Sequence, residues 1–124
     1  MAIRLAWDLL AAFERGAHGP GDLAEACRAL IDDEGLVHLR VADLADLLAV
    51  DRSTLFRAFR LRFDGSLKHY LDLARLRQAE ALLRHTRDEV AQIARSVGYS
   101  DAGWFARRFA AVYGTTPARY RRAC

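Results

Sequence analysis

Two cysteines, four scattered histidines and no long apolar run already exclude several kinds of protein. Cys27 and Cys124 have no spacing partner for a CxxC pair or a zinc site, and two thiols build no disulfide framework. A cytosolic chain keeps both reduced. His18, His38, His69 and His85 form no i,i+4 pair and no cluster with carboxylates. Structural or surface roles are therefore assigned to each, and no metal or other cofactor is expected. There is no nucleophile–base constellation and no phosphate-cradling glycine loop, which argues against an enzyme. Every apolar stretch is interrupted, the first by Arg4, Asp8, Glu14 and Arg15. None approaches the ~18 residues that span a bilayer. No signal peptide with a small-residue cleavage site is visible. The expectation is a cytoplasmic chain without membrane contact.

What is present is an ordinary globular composition, 52% apolar and 28% charged, in 124 residues, a length that suits one domain. Charge is unevenly placed. Residues 1–50 hold four Lys/Arg against nine Asp/Glu, a balance of −5, while residues 51–124 hold fifteen against seven, a balance of +8, giving the overall +3. An acidic front and a basic back suit a domain that turns one side toward phosphates.

The most informative stretch is VAQIARSVGYSDAGWFARRF, Val90 to Phe109. Val90, Ile93, Ala94 and Val97 fall on one helical face. Gly98 can close that helix through positive φ, and Ser100 or Asp101 can cap the next. Phe105 and Phe109, four apart, point inward, while Gly103, Ala106, Arg107 and Ala110 face outward. Small Ala94 permits close approach of the two helices. This is a helix-turn-helix pattern. An earlier copy, VADLADLLAVDRSTLFRAF from Val41 to Phe59, repeats the plan. Val41, Leu44, Ala45 and Leu48 lie inside, Ala49 stands at the glycine position, Asp51 caps, and Leu55 and Phe59 lie inside. From the second helix onward the copies keep a constant offset of fifty: Leu55 with Phe105, Arg57 with Arg107, Phe59 with Phe109, Asp64 with Gly114, Ser66 with Thr116, Tyr70 with Tyr120. Such a period calls for an internal repeat.

These residues resemble the DNA-binding region of AraC/XylS-type transcription regulators. Four pieces carry the resemblance: LADLLAVDRSTLFRAF; YLDLARLRQAEALLRHT with Arg75-Leu76, Ala79 and Leu82-Leu83; VAQIARSVGYSDAGWFARRF; and GTTPARYRR with Gly114, Pro117, Tyr120 and Arg121. They span about Leu36 to Arg122, roughly two thirds of the chain. The resemblance implies an all-α fold: two homeodomain-like, three-helix, helix-turn-helix subdomains joined by a long connecting helix. The expected division is residues 1–20 as an N-terminal amphipathic helix and linker, and 21–124 as the DNA-binding domain. Within it the first helix-turn-helix covers about 41–63, the connecting helix about 66–85 and the second unit about 89–112.

Taken in order, residues 2–15 place Ile3, Ala6, Trp7, Leu10 and Phe13 on one face. This helix is free to pack on the domain, to make a dimer contact or to be the remnant of a sensory domain; packing is preferred because Trp7 and Phe13 need cover. Asp22 and Glu25 form a reciprocal cap for a helix over 23–33. Its stripe is Leu23, Ala26, Cys27, Leu30 and Ile31, and Gly35 ends it. In the first recognition helix, about Arg52 to Phe63, Leu55, Ala58 and Phe59 are inside. Ser53, Arg57 and Arg60 point opposite Leu55, with Phe56 at the flank. Arginine donates two parallel hydrogen bonds to guanine O6 and N7, so Arg57 heads the base-contacting set, beside Arg52, Ser53 and Phe56. Phe56 is suited equally to a thymine methyl or to the core edge. Arg60 and Arg62 meet phosphates or solvent. The family has glycine where Asp64 stands; here Gly65 comes one position late, and Asp64 is expected to tolerate the left-handed turn. Ser66 caps the connecting helix, whose apolar residues are Tyr70, Leu71, Leu73, Ala74, Leu76, Ala79, Leu82 and Leu83.

Thr86-Arg87-Asp88-Glu89 reads as a capping box opening the second unit. The base-facing positions there are Ala102, Gly103, Ala106 and Arg107, poor in donors, so weaker discrimination is expected from this half. Scrambling its half-site should hurt less than scrambling the first. Phosphate contacts are assigned to Arg60, Ser66, Lys68, Trp104, Arg108, Thr116 and Arg119. Arg108 stands where the family is usually apolar. Thr116-Pro117 opens a last helix, and Arg119, Arg121 and Arg122 add charge near DNA.

The expected function is sequence-specific binding of double-stranded DNA, two recognition helices entering successive major grooves of a non-palindromic site about one turn apart. One polypeptide suffices, and dimerisation through the N-terminal helix is left open. The resemblance further implies activation through contact with RNA polymerase. The alternative is a protein-interaction module of the same fold, pairing with another regulator or with polymerase and weakened toward DNA. A duplex titration against a partner pull-down separates the two.

Overall fold

The structure, a computed structural model, describes residues 20–33 and 35–124. The expected helix at 2–15 lies outside the described residues. Among the described residues there are seven helices and no strand: α1 Pro20–Asp32, α2 Val41–Leu47, α3 Arg52–Arg62, α4 Leu67–His85, α5 Val90–Ser96, α6 Ala102–Tyr113 and α7 Pro117–Ala123. None of them is long and apolar enough to cross a membrane. Two compact units divide at Asp72 and Leu73, inside α4.

In the first unit α1 packs on α3 and α2 on α3. The stripe Leu23, Ala26, Cys27, Leu30 and Ile31 is buried as the periodicity requires, as are Leu44, Ala45, Leu48, Leu55, Ala58 and Phe59. Burial pushes the Cys27 thiol up to about 12, which leaves it an inert core side chain. α1 begins earlier than expected. Proline's fixed φ suits a first helical residue, so the helix starts at Pro20, and Asp22 lies in its first turn rather than capping. An acidic residue in that turn complements the positive end of the helix dipole. The helix stops at Asp32. Buried Asp33 then accepts from the Gly35 N–H at 2.8 Å and closes the turn before Gly35 is reached.

The corner between α2 and α3 turns at Ala49, which has φ +58°. The Asp51 carboxylate accepts from the Thr54 N–H at 2.6 Å and caps α3. At the far end of α3 the chain departs from the expectation for Asp64. Phe63 is extended, and the positive φ falls on Gly65 (+127°) rather than on Asp64. Glycine reaches that region at no steric cost, so the turn migrates to it. Ser66 accepts from the His69 N–H at 3.1 Å and caps α4. The first turn of α4 closes this unit: Tyr70 lies 5.5 Å from the Phe59 ring, and its hydroxyl donates to Asp32 at 2.7 Å.

The second unit runs from the rest of α4 through α7. Leu76, Ala79, Leu83, Ile93, Ala94, Val97, Tyr99, Phe105 and Phe109 form its core. Gly98 takes φ +108° at the corner, Asp101 rather than Ser100 caps α6 by accepting from the Trp104 N–H at 3.1 Å, and Gly114 takes φ +80° at its end. Thr116 caps α7 with Pro117 in its first turn. Tyr120 lies 5.4 Å from Phe109, repeating the Tyr70–Phe59 contact fifty positions earlier.

The capping box at 86–89 is not formed. Glu89 is the N-cap of α5 without a side-chain bond, and Thr86, just past the end of α4, donates back to the Leu82 carbonyl at 2.7 Å. The linker is held instead by Arg121. Its guanidinium donates to the carbonyls of Leu83 (3.2 Å), Asp88 (2.6 Å) and Thr86 (3.4 Å). These are carbonyls at and just beyond a helix C-terminus, the end that favours a cation.

Candidate nucleic-acid interface

The first recognition helix is α3. Leu55, Ala58 and Phe59 face the core, and the rotation of 100° per residue then sends Ser53, Arg57 and Arg60 outward, where all three are exposed. They do not stand on a flat surface. An open groove of about 630 Å³ is lined by Ser53, Phe56, Arg57, Arg60, Ser66, Leu67 and Lys68. Three of the first unit's four base-contacting candidates and three of the phosphate-contacting candidates thus converge in one place. Arg52, the first residue of α3, is exposed outside that lining.

Phe56 is half-buried and the Lys68 ammonium stands 5.7 Å from its ring centroid, a cation–π pair joining α3 to the first turn of α4. Leu67, absent from the sequence-derived set, supplies buried apolar lining; its i,i+4 relation to Leu71 was the signal for it. Hydrogen bonding to the Thr54 N–H, then to its hydroxyl, and the nearby Arg57 charge hold the Asp51 carboxyl below the usual carboxylate range. The cap is therefore an anion at neutral pH.

Arg62, assigned above to phosphate or solvent, is engaged elsewhere. It pairs with Glu25 at 2.5 Å and covers the Phe63 ring at 4.8 Å. Arg28 covers the same ring at 5.1 Å and pairs with Asp32 at 3.6 Å. Likewise Arg121, assigned to the DNA side, is spent on the α4–α5 linker.

On α6, Ala102, Gly103 and Arg107 are exposed and Ala106 is half-buried. Trp104 is 51% exposed, and the Arg107 guanidinium lies 5.6 Å from its ring centroid. Arg108 is half-buried on the flank; Thr116 and Arg119 are exposed, with the Arg119 N–H donating to the Thr116 hydroxyl oxygen at 3.3 Å. Among the described residues no group of His, Cys, Asp and Glu is arranged to hold a metal ion.

A three-helix unit with a capped, corner-joined second recognition helix, present twice, defines a double helix-turn-helix protein. Comparison with known proteins agrees. A family model described as a helix-turn-helix domain matches residues 44–123. The Msm operon regulatory protein of Streptococcus mutans is 34% identical over 84 residues, covering 68% of this chain and 30% of that protein. The C-terminal domain of AraT, a response regulator from Geobacillus stearothermophilus, superposes with a TM-score of 0.71 at 27% identity, over 82% of this chain and 85% of that one. The DNA-binding domain of AdpA, a global transcriptional factor solved in complex with a target DNA, gives 0.64 at 25% identity over 86% and 93%. The chain belongs to the AraC-type helix-turn-helix transcription regulators, a family of DNA-binding proteins and not of enzymes. It spans less than half the length of the curated relatives it matches.

Proposed function

We propose that this chain binds an asymmetric DNA site by inserting α3 and α6 into successive major grooves, and that it acts in the cytoplasm as a transcription activator. The observation that carries the proposal is the groove in which Ser53, Phe56, Arg57, Arg60, Ser66 and Lys68 meet. It sets an arginine fork suited to guanine beside a ring edge suited to a thymine methyl, with cations at its rim. In the proposal Arg52, Ser53, Phe56 and Arg57 read bases in one half-site, and Ala102, Gly103, Ala106 and Arg107 read the other. Arg60, Ser66, Lys68, Trp104, Arg108, Thr116 and Arg119 hold phosphates. Because the two faces differ in sequence, the halves of the site differ too, and residues 21–124 of one chain occupy both. Activation through contact with RNA polymerase is what the family resemblance adds.

Selection of bound duplexes from a random library by the full chain is the test, followed by titration of an enriched duplex across salt. The expected result is one non-palindromic consensus and an affinity falling about 10³–10⁵-fold between 50 and 200 mM salt, as engagement of six to ten phosphates requires. A palindromic consensus overturns the single-chain reading. No enrichment at all favours the protein-interaction module.

A further inference from the structure

Arg107 and Arg57 occupy matching positions of the two units but have different neighbours. Three residues before Arg57 stands Thr54; three before Arg107 stands Trp104, with its ring half-exposed and the guanidinium 5.6 Å from its centroid. Four residues before Arg107 stands Gly103. A Cβ built there would lie 3.8 Å from an Arg107 terminal nitrogen and 3.2 Å from the Asp101 carboxylate oxygen that caps the helix. The Arg107 side chain is thus laid back along α6, over Gly103, against Trp104 and toward the cap.

We propose that Trp104 is a positioning residue for Arg107, holding its fork in one pose so that the second half-site is read chiefly through a single guanine. The inference rests on the reading of α6 as a recognition helix. Arginine carries large rotamer entropy, and a guanidinium held before binding loses less of it when its two hydrogen bonds form. An exposed cation–π contact contributes on the order of 0.5–1 kcal/mol, a factor of about two to five in the population of the held pose. On a face otherwise lined by Ala102, Gly103 and Ala106, this one pre-set donor group supplies the discrimination that small side chains lack. Trp104 acts here through its ring; the phosphate contact assigned to it uses the indole N–H, a separate part of the same side chain.

The test uses the full chain and a duplex it has enriched from a random library, with each guanine of the second half-site replaced in turn by 7-deazaguanine, which lacks the N7 acceptor. Discrimination is the ratio of the two Kd values. Arg107→Ala should abolish it at one guanine. Trp104→Ala should lower it about two- to fivefold at that same guanine. Trp104→Phe, which keeps a ring and loses the N–H, should restore most of it. Thermal stability, measured alongside, should be alike for the Trp104 variants, since the ring is half outside the core. Equal loss of affinity on both duplexes with Trp104→Ala, uncorrected in Trp104→Phe, overturns the proposal and leaves Trp104 a phosphate contact. Discrimination untouched by Arg107→Ala overturns the reading of α6 itself, and the proposal with it.

Discussion

The hydroxyl of Tyr120 donates to the carboxylate of Glu80, forty positions earlier, and so ties α7 to α4. Tyr70 does the same for the first unit through Asp32. Each tyrosine also packs on the last buried phenylalanine of its recognition helix, Phe109 and Phe59 respectively. The two bonds fasten the helix that follows each recognition helix to the helix that opens the unit.

The Tyr120 bond gives an alkaline signature. Donation to the Glu80 carboxylate is the largest cause, followed by desolvation, of a phenol pushed from 10.0 up to about 12. A raised phenol pKa stabilises the fold fully below the unfolded value and ceases to do so as pH rises through the folded one. Stability of the second unit should fall between about pH 10 and pH 12, and Tyr120→Phe should show a smaller fall over that window. Denaturant midpoints of both proteins across that range check it. Parallel curves would show that the bond is not held in solution.

Ala49 carries φ +58°, a region that costs an L-residue about 1–2 kcal/mol. Glycine relieves this, offset by about 0.4–1 kcal/mol of added freedom in the unfolded chain. Ala49→Gly should therefore stabilise the protein by about 0.5–1 kcal/mol. A rise in the thermal midpoint is the readout; an unchanged or lower midpoint would mean that the corner relaxes without strain.

Arg121 binds carbonyls and is expected to contribute nothing directly to DNA affinity. Arg121→Ala should cost about 2 kcal/mol of stability, the loss of charge-assisted bonds to three carbonyl oxygens. Lysine should recover only part of this, because an ammonium lacks the planar fork. Measured on the folded variant, the salt dependence of DNA binding should keep its slope. A decrease of about 0.9 in that slope would instead identify a phosphate contact.

Arg57 lines the groove and faces outward. Arg57→Ala should weaken binding to the preferred duplex by about 1–3 kcal/mol and relax the preference at one base pair. Equal weakening on random duplexes would reassign it to the phosphate backbone.

Local order was readable along the chain because it is set by neighbours in sequence. The caps Asp51, Ser66, Asp101 and Thr116 act on N–H groups three residues ahead, and the buried faces of α2, α3, α5 and α6 repeat with the helical period. The positive φ at Ala49, Gly98 and Gly114 follows from the corner and the helix end they close. The groove set was equally legible, since the wheel that buries Leu55 and Phe59 must expose Ser53, Arg57 and Arg60. What periodicity does not carry is the destination of a long charged side chain. The wheel sets Arg62 seven residues after Leu55, on the core side, and Arg60 on the far side, yet only the packed chain shows that Arg62 pairs with Glu25 while Arg60 lines the groove. Arg121 looks like another basic residue of the last helix, yet it is spent on carbonyls more than thirty positions away. The Thr86–Glu89 box fits a capping motif, but Thr86 turned back to Leu82. A flexible guanidinium or a hydroxyl with two reachable acceptors has several partners of similar energy, and only the packed chain determines which lies within reach.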